Sequence, residues 1–246
     1  MTVGASTGMA AVLRNLRPVE ARTALVGGDP AECARVLGVD GVAVSLAPGE
    51  QLGELVWATP GVSTRLEDLQ FTIGHGPGPD VVASGAAVLE PDLSRLSADR
   101  WPALLPEAMA LGVRAVFCLP LSIGGACLGT MTLQRSVPGP LPVTFMSDAL
   151  ILAGALTSVI IDRGDHREAF AAASPSSDLY RAVVHQASGM ISVQAGIPLA
   201  EALLLLRAHA FGKGRPVVEV AEDVVARRVH FGADRDGPDV SGGRGR

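Results

Sequence analysis

The sequence is poor in aromatic residues, which make up only 4% of its 246 positions. A hydrophobic core must therefore come from the aliphatic residues that dominate the 48% hydrophobic fraction. Lysine is nearly absent too, because all but one of the 20 basic residues are arginines. The formal net charge is −5, which excludes a broad positive field, so any contact with nucleic acid must be local.

Signals for membrane insertion, export and disulfide formation are also lacking. The longest apolar run, 149–161, is shorter than the roughly 20 residues of a membrane-spanning helix. The N-terminus has no basic segment followed by an apolar run, so no signal peptide is predicted. The three cysteines, Cys33, Cys118 and Cys127, have no C-x-x-C or metal-ligand spacing, which favours reduced thiols. We expect a cytoplasmic protein that does not enter a membrane.

No pattern of residues indicates an enzyme. The glycine-rich stretch "GHGPGP" lacks the Lys-Ser/Thr of a phosphate-binding loop, and the five histidines form no pair with metal-ligand spacing. His75, within that stretch, is expected to be exposed rather than bound to a metal or haem. We predict no catalytic residue and no metal site.

Hydrophobic periodicity divides residues 20–163 between strands and helices. Short β-branched runs indicate one hairpin near 40–59 and a second at 115–134 that turns at Gly124-Gly125. Helical spacing surrounds them, and "GHGPGP" is predicted to be a loop. The expected fold is an α+β domain in which helices flank an antiparallel sheet. Residues 1–19 form a preceding segment, of which 1–8 are predicted to be disordered.

The predicted helix at 143–163 carries two apolar stripes. One stripe consists of Phe145, Ala149, Leu152, Leu156 and Val159, and the other of Met146, Leu150, Ala153 and Ile160. One stripe can cover the sheet, and the second needs another partner. Burial of both stripes within one domain and pairing of two copies in a homodimer are both open. The position beside a polar linker, 164–177, favours the homodimer.

Residues 178–231 show three helical patterns and predict a small helical bundle, followed by a disordered tail at 232–246. From residue 178 onward the chain has nine Lys or Arg and eight Asp or Glu, so it is less acidic than the rest. Arg207, Lys213 and Arg215 form a basic rim, which Arg181, Arg227 and Arg228 could surround. Either an ordinary solvated rim or a phosphate-binding edge accounts for these charges.

The stretch "HQASGMISVQAGIPLAEALLLLRAHAFGKGRPVVEVAEDVV" resembles the ANTAR family of RNA-binding antitermination modules. The resemblance includes Gly189, Glu201-Ala202, Leu206-Arg207 and Val220-Ala221. It implies a dimer that binds paired hairpin loops in leader transcripts. Serine stands at 188, where the family commonly has lysine, and leucine at 203, where an aromatic residue is frequent.

The resemblance also implies which side chains face RNA. Phosphate contacts are expected from Arg207, Lys213 and Arg215, and Gln186, Ser188 and Gly189 are expected near a loop base. Ala187 and Ala202 would let the helices approach closely.

Residues 29–163 resemble a GAF sensor domain of the kind that precedes ANTAR modules in actinobacteria. The stretches "LGVDGVAVSL", "LEDLQFTIGHGPGPD", "RWPALLPEAMALGVRAVFCLPL" and "LGTMTLQ" carry this resemblance. It implies a sensor whose small-molecule signal the residues do not identify, and we assign no cofactor. The expected protein is a non-enzymatic, signal-responsive antitermination regulator. The alternative is a signalling scaffold whose helical module binds a protein partner instead of RNA.

Overall fold

The computed structural model describes residues 4–16, 28–47, 53–162 and 181–231. The chain divides into two compact units, Met1–Ala182 and Val183–Arg246. The predicted linker at 164–177 and the predicted tail at 232–246 lie outside the described residues.

The first unit is a five-stranded antiparallel sheet flanked by helices, which confirms the predicted α+β class. The strand order is β2-β1-β5-β4-β3. The strands are β1 (Gly41–Leu46), β2 (Leu55–Ala58), β3 (Val88–Glu90), β4 (Ala115–Ile123) and β5 (Ala126–Arg135). The helices are α1 (Thr7–Asn15), α2 (Pro30–Val36), α3 (Val62–Ile73), α4 (Pro77–Ser84), α5 (Leu104–Ala110) and α6 (Val143–Asp162).

The hairpin between β4 and β5 turns at the predicted Gly124-Gly125 pair. Both residues have a positive φ, 56° and 95°, which glycine adopts without a steric penalty. The turn sets the register of a long antiparallel ladder from Ile123 and Ala126 down to Ala115 and Arg135. The sequence signal was sufficient here because a two-residue turn is a local feature.

Alternation along the strands gives the sheet two different faces. One face is aliphatic and aromatic, and it forms a continuous core with α1, α2 and α6. The other face lies under α3 and α4 and is polar at its centre, where β1 and β5 contribute Ser45, Thr130 and Thr132. A second apolar cluster around Trp101 and Leu104 fills the space beside this polar centre.

Helix α6 buries more of its surface within the first unit than one stripe would require. Ala149, Leu152 and Leu156 are fully buried, and Ala153 and Ile160 of the second stripe are buried too. Leu150 of that second stripe is 56% exposed. The range Val143–Ile161 is long and apolar enough to cross a membrane by length and composition. Its buried stripes pack in the core instead, as in the central helix of a soluble domain.

Two predictions for the first unit are wrong. Residues 7 and 8, within the segment predicted to be disordered, begin α1, and Ser6 caps that helix by accepting a hydrogen bond from the Met9 amide. Met9 and Val12 of α1 are buried in the main core of this unit. "GHGPGP" is not a loop throughout, because α4 begins at Pro77, where the missing N–H costs nothing.

The described part of the second unit, up to residue 231, is built on three helices, as predicted. They are α7 (Ala182–Ala195), α8 (Leu199–Gly212) and α9 (Val217–Val225). The first residue of α7, Ala182, is the last residue of the first unit. The third helix was expected to continue to Phe231, but it ends at Val225, and Arg227 adopts a left-handed φ of 59°. Leu199, which helical spacing places on the same apolar face as Ala202 and Leu206, is 58% exposed.

Candidate functional site

Small side chains lie on the buried face of each helix in the second unit. Ala187 of α7, Ala202 and Ala210 of α8, and Ala221 of α9 are all fully buried. Such residues let helix backbones approach each other closely, which was the role predicted for Ala187 and Ala202. The unit is compact enough for its outer faces to be held in a defined geometry.

An open groove of about 610 Å³ runs along the outer face of α7. It is within the range of about 300–1,000 Å³ typical of small-molecule sites. We call it the α7 groove; its lining consists of Gln186, Gly189, Met190, Val193, Gln194, Arg227 and His230. The structure thus brings together two of the residues expected near a loop base, Gln186 and Gly189. From the sequence, Arg227 was expected only as a charge around the basic rim. Four further lining residues were not predicted as site residues: Met190, Val193, Gln194 and His230.

Ser188 lies on the other side of α7. It is 2% exposed, and its hydroxyl donates a hydrogen bond of 2.8 Å to the Val184 carbonyl one turn earlier. This side chain is therefore part of the helix packing, and the geometry does not present it to a loop base. Helical spacing already separates 188 from 186 and 189 by about 100° per residue, which is the signal that could have distinguished them.

Arg215 is bound to two carboxylates of α9. Its guanidinium lies 2.8 Å from Asp223 and 3.5 Å from Glu219, and Arg228 lies 2.7 Å from the other oxygen of Asp223. Hydrogen bonds from Arg215 and then Arg228 hold the pKa of Asp223 below its usual value, and the same contact raises the pKa of Arg215. The positive charges of Arg215 and Arg228 are thus partly compensated within the unit.

Arg207 and Lys213 differ from each other in exposure. Arg207 is half-buried in α8, and its Nε atom is inaccessible to solvent. Lys213 is exposed just after the end of α8, and no carboxylate of the described residues pairs with it. Neither residue lines the α7 groove. Among the predicted phosphate contacts, Lys213 has the most accessible charge.

The prediction that Arg181 could surround the basic rim is wrong. This residue was thought able to surround the same face as Arg207, but it is fully buried in the first unit. Its guanidinium stacks 4.2 Å from the Phe71 ring centroid and contacts Asp68 at 3.3 Å. Its backbone amide donates to the Glu54 carboxylate at 2.9–3.0 Å. A residue held in this way is not available to RNA.

The interior of the first unit contains a buried polar cluster that was not predicted from the sequence. Glu67 is fully buried and accepts hydrogen bonds from the Ser45 hydroxyl at 2.6 Å and the Gln70 amide at 2.9 Å. The hydroxyls of Ser63 and Thr130 are buried nearby without a hydrogen-bond partner among the described residues. Buried polar groups are normally paired, so this cluster stands out in the interior of the first unit. Period-2 alternation in β5, with Thr130 and Thr132, could have indicated it.

The three cysteines are buried or half-buried, and the loop histidine, His75, is exposed as expected. Burial raises the pKa of Cys33 to about 12, raises that of Cys118 further, and also raises that of Cys127. Thiolates, the reactive form, are therefore scarce at neutral pH. His75 is exposed, and the described residues contain no group of three or more His, Cys, Asp or Glu placed to hold a metal ion.

Comparisons with known proteins identify two families in the chain. The GAF domain model matches residues 31–160, and the ANTAR domain model matches residues 179–225. Neither family is a catalytic one, and both are soluble domain types. No curated protein matches the chain at a significant level.

Similar solved structures include several GAF domains. The domain from a Coxiella burnetii phosphoenolpyruvate-protein phosphotransferase is 16% identical, covers 68% of this chain and 99% of its own, and gives a TM-score of 0.47. The corresponding Acinetobacter domain is 12% identical, with coverages of 62% and 90% and a TM-score of 0.45. A domain of a Sinorhizobium meliloti putative two-component sensor histidine kinase is 16% identical, with coverages of 59% and 92% and a TM-score of 0.45.

Proposed function

The chain belongs to the GAF domain family and carries an ANTAR domain after its GAF domain, and we propose that it is a signal-responsive transcription antitermination regulator. In this proposal the ANTAR unit binds hairpin loops of leader RNA and prevents a terminator from forming. The protein acts in the cytoplasm and catalyses no reaction. The observation that carries the proposal is the ANTAR match at 179–225, the segment that forms α7, α8 and α9.

Lys213 and Arg207 are the proposed phosphate contacts, and Gln186 and Gly189 are the proposed neighbours of a loop base. Lys213 supports this assignment because its charge is exposed and has no carboxylate partner in the described part of the chain. Arg215 could bind phosphate only in competition with Asp223 and Glu219, so we assign it a smaller contribution. Phosphate contacts of this kind position RNA, and contacts to unpaired bases select it.

The GAF unit is proposed to supply the signal. A small molecule that enters the buried polar cluster around Glu67 would have to displace the hydrogen bonds of Ser45 and Gln70. Such a change alters the packing of α3 on the sheet. We propose that this change in packing is transmitted to α6, along which two copies form a homodimer. The shift of α6 then changes the spacing of the two RNA-binding units.

The test is binding of the full-length protein to a pool of RNAs, each with two hairpins whose loops are randomised. With about three phosphate contacts, log K should fall by about 2 for each tenfold increase in salt. Lys213→Ala should reduce this slope by about 0.7, the value for one phosphate on a single strand. Arg35→Ala, a control at a residue whose side chain is 75% exposed in the GAF unit, should leave the slope unchanged. The proposal is wrong if the wild-type protein binds no RNA of the pool even at low salt.

A second candidate function, a scaffold that binds a protein partner, is favoured by exposed apolar residues on α8. Leu204 is 66% exposed and Phe211 is 50% exposed, and both lie on the outer side of the helix with Ala208 between them. Exposed apolar patches of this kind often mark protein interfaces. Changing Leu204 and Phe211 to serine should leave RNA binding intact under the first proposal. Under the scaffold proposal, the wild-type protein ignores RNA, and the same changes abolish binding of the protein partner.

A further inference from the structure

The α7 groove combines two kinds of surface that an unpaired base requires. One face of the helix is formed by Gln186, Gly189, Met190, Val193 and Gln194, because each lies three or four residues from at least one other member of the set. Met190 and Val193 offer apolar area, and Val193 is 85% exposed. A nucleobase has apolar faces and polar edges, and single-strand-binding proteins use both.

The two carboxamides lie at the positions where a base edge would be read. Gln194 accepts a hydrogen bond of 3.1 Å from the Phe231 amide through Oε1, which orients its side chain and leaves its NH₂ group as a donor. Gln186 is exposed about two helical turns before Gln194, on the same side of α7. Gly189 lies between them, and a Cβ atom built on it would meet no atom within 4 Å. The floor of the groove at this point is therefore bare backbone with space above it.

Arg227 places a positive charge at the rim of the α7 groove, where a phosphate group could bind. An apolar groove that binds a peptide would not need this charge. The Arg227 side chain is exposed and forms no hydrogen bond or ion pair with the described residues, although the neighbouring Arg228 is bound to Asp223. Its φ of 59° is a conformation that favours glycine after a helix end, yet an arginine occupies it. Backbone strain of this kind is typical of functional positions. His230 lines the same rim.

We propose that the α7 groove binds one unpaired nucleotide of an RNA loop. The base lies over Gly189 against Met190 and Val193, with its edge facing the amides of Gln186 and Gln194. Its phosphate lies at the rim formed by Arg227 and His230. This inference rests on the proposed function. It adds Met190, Val193 and Gln194 to the two residues already expected near a loop base, and it adds Arg227 and His230 as the phosphate rim.

Gly189→Leu tests the groove by filling it. The leucine side chain would enter open space, and leucine is a better helix former than glycine, so α7 should remain folded. Gly212→Leu is the matched control, because Gly212 is also helical, is exposed, has no atom within 4 Å of a built Cβ and lies outside the groove. The probe is the tightest-binding hairpin of the randomised pool, with 2-aminopurine placed at each loop position in turn.

At one loop position, the wild-type protein should change the 2-aminopurine fluorescence, and an abasic site there should weaken binding about tenfold. Gly189→Leu should remove the fluorescence change and weaken binding by a similar factor, and Gly212→Leu should do neither. Equal RNA binding by Gly189→Leu and wild type would contradict nucleotide binding in the α7 groove, but it would not contradict the proposed RNA-binding function. Loss of binding in both leucine variants would also overturn it, because the effect would then not be specific to the groove.

Arg227→Gly separates a binding role from a structural one. Glycine relieves the left-handed backbone and removes the charge, so hydrogen exchange in α9 should be unchanged or slower. RNA binding should nevertheless weaken several-fold, and its salt slope should fall by about 0.7. Arg228→Ala should keep the full slope. An Arg227→Gly protein with the wild-type slope would contradict the proposed phosphate contact. A wild-type protein that binds no hairpin would instead reject the proposed function itself.

Discussion

Arg181 shows how a single side chain can reverse the meaning of a charge. Arginine is rarely fully buried unless it is paired, and in a sequence it is first assigned to a surface. Here the planar guanidinium stacks on Phe71, contacts Asp68 and donates to the Gly53 carbonyl. Its Nε atom is buried and has no hydrogen-bond partner in the part of the chain that the structure describes. Stacking and directed hydrogen bonds are properties of arginine that lysine does not share.

Removal of this side chain should destabilise the first unit. Arg181→Ala breaks a buried ion pair and its stacking contact, so the free energy of unfolding should fall by about 3 kcal/mol. Arg181→Lys should recover only part of that loss, because an ammonium group has neither the paired N–H donors nor the planar stacking surface of a guanidinium. Urea denaturation followed by tryptophan fluorescence measures this unit specifically, since Trp57 and Trp101 both lie in it.

The control for that experiment is Arg35→Ala. Arg35 is a surface arginine of α2 whose side chain is 75% exposed and whose contact with Glu32 is 4.0 Å long. Its removal should change stability by no more than about 0.5 kcal/mol. Similar unfolding curves for the Arg181 and Arg35 variants would show that the buried contacts of Arg181 contribute nothing.

At the scale of elements, the sheet depends on close approach at one glycine of its central strand. Gly129 of β5 lies opposite Leu46 of β1 and Leu121 of β4. A Cβ atom built there would lie too close to the Ser45 carbonyl oxygen for any real contact. The obstacle is backbone of the neighbouring strand, which cannot rotate away as a flexible side chain can.

Gly129→Ala should therefore lower the free energy of unfolding of the first unit by about 2 kcal/mol, within the usual cost of overpacking. Gly154→Ala is the matched comparison on the exposed side of α6, where a built Cβ meets nothing within 4 Å. It should stabilise the unit by about 0.5–1 kcal/mol, the difference in helix propensity. Both are measured by denaturation at low protein concentration, and a stability gain from Gly129→Ala would contradict the close approach.

At the scale of the whole molecule, dimer formation along α6 stays a prediction. The apolar surface that α6 leaves exposed for a partner is smaller than the two stripes indicated. Ala153 and Ile160 are covered within the chain, which leaves Leu150 and Val143 as the exposed large apolar residues of the helix. A dimer would bury these two. The proposed control of RNA binding through helix spacing requires such a dimer.

Leu150→Arg should convert the protein from dimer to monomer, because a charge would then be placed in the middle of the helix pair. Ile123→Arg is the control, since Ile123 is equally exposed, at 55%, but lies at the tip of the β4–β5 hairpin. Light scattering after size exclusion measures both masses. A wild-type monomer, or the same mass for Leu150→Arg and wild type, would reject the interface.

The sequence by itself determined the elements of this protein because their signals are local. Alternation predicted the strands, the Gly124-Gly125 pair predicted the hairpin, and proline and glycine bounded the three C-terminal helices. Helix α4 escaped detection because its proline- and glycine-rich start is also a loop signal. The fold class therefore followed from patterns that span a few residues each.

Only the tertiary structure decided which charges are available and which faces are covered. Buried Arg181 contacts Asp68, a residue 113 positions away. Arg215, before α9, and Arg228, after it, both bind Asp223 within that helix. Arg227 lies on the rim of the α7 groove because the chain turns back after α9. The strength of a charge–charge contact depends on distance and burial in three dimensions, and periodicity along one chain contains neither quantity.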